Sequence, residues 1–229
     1  LLFQAVSDNR VANFLVKSGY DLKILTYNSW VKLSDDYDIL CFKDGFYDSG
    51  LAIKTCDKTI LNLNDCEINN EKKLNKLLSI VGKCDILATQ FSYAAWKGGV
   101  ENKSWRKIAA KEKIETMKLQ SRYFKPKIII PFASYIYFSN YTNFYLNDAS
   151  NTPKDVVQAF KKEDTKVKVM KPFESFEDIE TEVDNKESLE FWNNAYNRIE
   201  KKKLNSFDTV SFKELENAFT LYTIRVFKN

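Results

Sequence analysis

Three buried segments, each ending in a loop of polar and aromatic residues, constrain the fold of this chain more than any other feature. Residues 59–66 read TILNLNDC, residues 84–99 read CDILATQFSYAAWKGG, and residues 125–138 read KPKIIIPFASYIYF. Between the first two, the pattern EKKLNKLLSIV places Leu74, Leu77, Leu78 and Val81 on one helical face, and Gly82 stops it. Between the second and third, residues 104–123 form a long amphipathic helix carrying Trp105, Ile108, Ala109, Met117 and Leu119. Pro126 follows it, and Pro131 ends the apolar run Ile128–Ile130. Strand, helix, strand, helix, strand predicts right-handed βα crossovers and an α/β fold class.

The flanking segments extend this pattern. Ser7 is a candidate cap for a helix over residues 8–17 that stops at Gly19, and a strand follows at 21–26. Short strands at 30–33, 38–42, 50–55 and 59–63 read as an antiparallel meander, with a tight hairpin turn at Cys56–Thr59. Thr152 and Pro153 start a helix running to about residue 162, and KVKVM at 166–170 alternates like an exposed edge strand. Residues 172–185 are acidic and irregular. Helices over 186–202 and 211–227 end the chain, the latter capped by Ser211. No internal repeat is visible.

A chain of 229 residues makes one large domain, or one domain with a small appendage. With only 6 Gly and 4 Pro, long disordered linkers are not expected. The net charge of +4 is dispersed among acidic residues, which argues against nucleic acid as a partner. No apolar run of membrane-spanning length and no leader peptide is visible, so the cytoplasm is the expected compartment and a membrane is not an expected partner. Cys41, Cys56, Cys66 and Cys84 form no CxxC pair, and Cys41 and Cys84 sit in apolar runs as buried thiols. The chain has no histidine.

Chemistry concentrates in the loops after the three strands. Asp65 follows a buried strand and so combines rigidity with access to solvent, as metal ligands and general bases require. The alternative is an Asx turn in which Asn64 or Asp65 caps its own backbone. In QFSYAAWKGG, Ser92 and Trp96 are candidate ligand contacts, although Ser92 has no evident base to make it a nucleophile. FASYIYFSNYTNFYLN (132–147) packs Tyr, Phe, Asn and Ser at a density suited to an aromatic-walled polar pocket for a carbohydrate or nucleotide. Ser134, Tyr135, Asn140, Asn143 and Tyr145 are its candidate contacts. A core cover whose hydroxyls bond to backbone is the other reading of the same segment.

Taken together, LNLNDC, DILATQFSYAAWKGG and KPKIIIPFASYIYF resemble the second half of a metallo-β-lactamase-fold protein. The branch they resemble is the metallo-β-lactamase-like domain of CMP-N-acetylneuraminate hydroxylases and similar proteins of bacterial surface-polysaccharide loci. The resemblance covers about residues 21–147. It implies an αββα sandwich, partial or divergent, over residues 1–170, with a helical appendage over 171–229. It implies that Asp65 matches a metal-bridging aspartate, and that zinc or iron serves the complete protein. It further implies a hydrolase-like activity on a sugar or sugar nucleotide. The family's HxHxDH signature is missing, and Ser134, Ser139, Asn140 and Asn143 stand where a late histidine ligand is usual. This chain alone is therefore expected to hold no metal, and its enzymatic status depends on a histidine motif supplied from elsewhere. The alternative is a metal-free binding or assembly module, with a glycan or small-molecule ligand and terminal helices compatible with a homo-oligomer.

Overall fold

The computed structural model describes residues 1–46, 48–176, 179–180, 182–199 and 209–227. Nine strands and six α-helices are described. β3 (Trp30–Lys32), β4 (Asp38–Asp44), β5 (Asp48–Lys54) and β6 (Thr59–Asn64) pair antiparallel in sequence order. β7 (Ile86–Gln90), β8 (Ile128–Phe132) and β9 (Lys166–Val167) then continue the same sheet in parallel. The result is one seven-stranded mixed sheet in which strand order follows chain order. A second sheet pairs β1 (Leu2–Gln4) in parallel with β2 (Lys23–Leu25) across α1 (Arg10–Lys17).

Alternation along the strands decides what each face covers. Leu61 and Leu63 of β6, Leu87 of β7 and Ile129 of β8 point to one side and are buried with Leu74, Leu77 and Val81 of α2 (Glu71–Val81). Ile114, Met117 and Phe124 of α3 (Lys103–Phe124) and Val156 of α4 (Pro153–Ala159) complete that core. Ile39 and Cys41 face the opposite way and meet Leu25. α2 matches its sequence pattern from end to end. Asn70 accepts a hydrogen bond from the Lys73 N–H at the start, and Gly82 adopts φ 80° at the stop.

Local signals were overridden in three places. α1 begins at Arg10 with Asn9 as its N-cap rather than at Ser7, because the Asp8 carboxylate takes the Arg10 N–H at 3.0 Å. α4 ends at Ala159, where buried Phe160 caps it, instead of reaching residue 162. β9 is an edge strand, but the segment after it is not exposed. Lys168 is buried, and its ammonium reaches Glu174 Oε1 at 2.6 Å.

Lys168 and Glu174 fasten α5 (Lys186–Ile199) to the sheet. Glu174 Oε2 accepts from the Lys171 N–H at 2.9 Å and from the Ser188 hydroxyl at 2.6 Å. Asn185 bridges the Val169 N–H and the Val167 carbonyl, at 2.8 Å each. The first part of the expected 171–229 appendage therefore packs on the domain; positions 200–202 of the helix expected there, and the lysines at 201–203, lie outside the described residues. Burial alone would raise the Glu174 pKa, but these donors outweigh it and bring it from 4.5 down to about 2. A depressed carboxylate stabilises the fold above its ordinary pKa and loses that contribution as pH falls toward the folded value. Urea unfolding is expected to show a loss of about 3 kcal/mol between pH 4.5 and pH 2, and Glu174→Gln is expected to flatten that slope.

α6 (Phe212–Phe227) opens with the expected cap, Ser211 Oγ accepting from the Glu214 N–H at 3.3 Å. Its apolar residues Phe212, Leu215, Phe219, Tyr222 and Val226 are exposed.

Candidate functional site

The loops that leave β7 and β8 lie side by side because those strands are parallel neighbours. Ser134 clamps them together. Its hydroxyl accepts from the Ser92 N–H and donates to the Ser92 carbonyl, at 3.0 Å each. Ser92 Oγ in turn accepts from the Asn151 N–H at 2.9 Å, and the Asn151 side chain donates to Phe91 O and Ala110 O, at 2.7 Å each. Ser92 and Ser134 are both buried, so this geometry makes them welds of the scaffold.

The welds leave the aromatic part of the 132–147 segment facing α5. Tyr135 stacks on Trp192 of α5 with ring centroids 4.0 Å apart and planes at 24°, and meets Phe91 edge-on at 5.0 Å. Trp192 Nε1 donates to Met170 O at 2.8 Å, which fixes the indole. Two adjoining recesses follow the groove, each about 360 Å³ and both bordered by Ile136, Tyr137 and Tyr196. The first also takes in Tyr145 and Asn151, the second Tyr135 and Arg198.

Two buried side-chain polar atoms of the 132–147 segment have no hydrogen-bond partner among the described residues: the Tyr135 hydroxyl, at the groove, and Asn143 Oδ1, which lines neither recess. Orphaned buried polar atoms are few in folded proteins, and a bound ligand or water is one account of them. Burial pushes the Tyr135 phenol well above its ordinary range and the Tyr196 phenol up to about 12. Both therefore remain protonated, and both can donate.

Beside the groove, Arg106 of α3 is fully buried. Its guanidinium takes both carboxylate oxygens of Asp148, at 2.7 and 2.9 Å, and donates to Gly99 O at 2.6 Å and Val100 O at 3.0 Å. The Tyr145 ring lies 5.1 Å from the guanidinium carbon, and the Tyr145 hydroxyl donates to Gly98 O at 3.0 Å. This latch sets the wall on which Tyr145 stands.

The other expected site residues lie apart from the groove. Trp96 is exposed and meets Trp105 edge-on at 5.7 Å. Asn140 closes its own turn, accepting from the Thr142 N–H at 3.0 Å and hydroxyl at 2.8 Å. Asp65 is exposed just beyond β6. The Asx turn there belongs to Asn62, whose Oδ1 accepts from the Asn64 N–H at 2.9 Å while Asn64 adopts φ 53°. Trp192, Tyr196 and Arg198 were not singled out from sequence as ligand contacts; the apolar stripe of Leu189, Trp192, Ala195 and Tyr196 on one helix face was the available signal.

No family model and no curated protein matches the sequence. Among solved structures, the chain is similar to CmlA, a diiron β-hydroxylase from Streptomyces venezuelae, with TM-score 0.50, 9% identity and 74% of this chain covered. The E377D mutant of CmlA gives TM-score 0.51 at the same identity. A metallo-β-lactamase-superfamily protein from Thermotoga maritima overlays with TM-score 0.43 and 13% identity, covering 66% of this chain and 72% of that one. The chain shares the fold of these CmlA structures over the covered part, in mixed α/β form around one central sheet. This chain spans 38% of the length of CmlA.

Whether these residues fit a metal follows from the donor set. The sequence has no imidazole, and among the described residues no group of three or more Cys, Asp or Glu could hold an ion. Asp44, the buried carboxylate of β4, is already taken by Lys73 Nζ and the Glu67 N–H, each at 2.7 Å. Asp65 by itself is far short of the three or four ligands that zinc or iron needs, so the described residues do not fit the ion.

Proposed function

We propose that this chain binds a sugar or sugar nucleotide in the groove between the 132–147 segment and α5. It would do so as part of a hydrolase-like metallo-β-lactamase-fold protein of surface-glycan metabolism. The observation that carries the reading is the Tyr135–Trp192 stack, which lines one of two adjoining 360 Å³ recesses and carries a phenol unpartnered among the described residues. Aromatic faces hold sugar rings and bases, while phenols and amides supply the few polar contacts that orient them. Asp65 stands exposed at the edge after β6, and no step of the binding reading runs through an ion.

Calorimetric titration with a nucleotide sugar tests this. Saturable binding is expected, weakened about ten-fold by Tyr196→Ala and unchanged by Trp105→Ala, which lies on α3 away from the groove. Absence of binding, or a Tyr196→Ala variant that binds like the parent, would contradict the proposal. A metal-free assembly module is a second reading, favoured by the exposed apolar stripe of α6. Sedimentation showing a monomer at high concentration would remove that second reading.

A further inference from the structure

A separate cavity opens at the C-terminal ends of β6 and β7, against α3. Its volume is about 130 Å³, and Lys97, Lys113, Gln90 and Thr116 line it together with Glu67 and Glu112. One wall is already satisfied internally. Thr89 Oγ1 donates to Gln120 Oε1 at 2.8 Å, and Gln120 Nε2 donates to Ile68 O at 3.0 Å. The opposite wall is not. The Lys113 ammonium has three protons to donate, and its hydrogen-bond partner is the neutral Gln90 Oε1. Neither Lys113 nor Lys97 forms an ion pair among the described residues.

This half-buried ammonium has one hydrogen-bond partner among the described residues, a neutral amide, and no carboxylate within ion-pair distance, although Glu67 and Glu112 line the same cavity. Burial lowers the Lys113 pKa below the ordinary lysine range, and the nearby charge of Lys97 adds to that lowering, against the opposing pull of Glu67, Asp65 and Glu112. Such a group gains most from an anion that it can desolvate and bond directly. The volume admits a group the size of a phosphate or a carboxylate and excludes a whole nucleotide.

We propose that this cavity is a binding site for a small oxyanion, with Lys113 as the direct donor and Lys97 as the second positive charge. Glu67 and Glu112 make it selective for a compact anion that sits against the lysines over one that spreads across the rim. The site does not depend on the sugar reading of the aromatic groove, because the two cavities share no lining residue.

The test is a titration of the full chain with inorganic phosphate, followed by ¹³C-labelled lysine NMR and by thermal shift. Saturable binding is expected, with a shift of the Lys113 resonance. Lys113→Met keeps the aliphatic stem and is expected to weaken binding about ten-fold; Lys97→Met weakens it by less. Circular dichroism checks that both variants fold. Competition by a nucleotide sugar would identify the occupant as that ligand's phosphoryl group, and binding without competition would identify a free anion; either supports the site. No saturable binding in the millimolar range, or phosphate binding by both variants equal to the parent, would overturn it, as an adventitious ion only.

Discussion

Asp148→Ala is expected to lower the thermal unfolding midpoint by about 10 °C, an effect out of proportion to a partly exposed residue of a single short 3-10 helix. The reason is Arg106. It is fully buried, and Asp148 supplies the two carboxylate contacts to its guanidinium. Removing the carboxylate leaves a buried cation with backbone carbonyls alone, which costs far more than the pair contributes while intact. The same change frees the wall carrying Tyr145, so ligand binding in the groove is expected to fall with stability. Replacing both partners with apolar residues, Arg106→Met with Asp148→Leu, is expected to recover part of the midpoint. Circular-dichroism melts of the three variants check this: a double variant no more stable than Asp148→Ala would show that the buried charge is not the cause.

Trp192→Ala is expected to cost about 3 kcal/mol in urea unfolding and to remove measurable sugar-nucleotide binding. This side chain packs against the main core, stacks on Tyr135 and anchors to Met170 O, so its loss opens the groove and loosens α5 together. Trp192→Phe keeps an aromatic face and gives up the Nε1 hydrogen bond. Its expected cost is about 1 kcal/mol, with binding weakened rather than lost. Equal losses in both variants would mean that the indole contributes only its hydrogen bond.

The parts of this fold that were legible in the sequence are those set by local physics. The 71–81 helix carries its own apolar face and stop, and the 59–64 strand its own alternation, so both appear where the pattern puts them. β1 was not legible. Leu2–Gln4 is three residues long and acquires its identity from a parallel partner some twenty positions on. The burial around residues 167–169 was hidden for a similar reason. Alternation marks a strand, but nothing local says that Glu174 and Asn185 return to cover it.

The candidate site divides along the same line. The aromatic density of residues 132–147 pointed to a pocket, and Tyr135 and Tyr145 do border the groove. Ser92 and Ser134 have the same polar chemistry, yet they are consumed in joining two loops. Residue type cannot separate these outcomes, because each depends on which hydroxyl finds a backbone partner after the strands align. The other half of the groove comes from α5, whose sequence periodicity identifies an apolar face without revealing what it covers.

The central claim is that this chain holds its ligand through aromatic and polar side chains and not through an ion of its own. Its most direct test is a nucleotide-sugar titration in excess chelator, repeated with added zinc and with added iron under reducing conditions. The account predicts one dissociation constant in all three conditions. Binding that appears only when zinc or iron is present would contradict it.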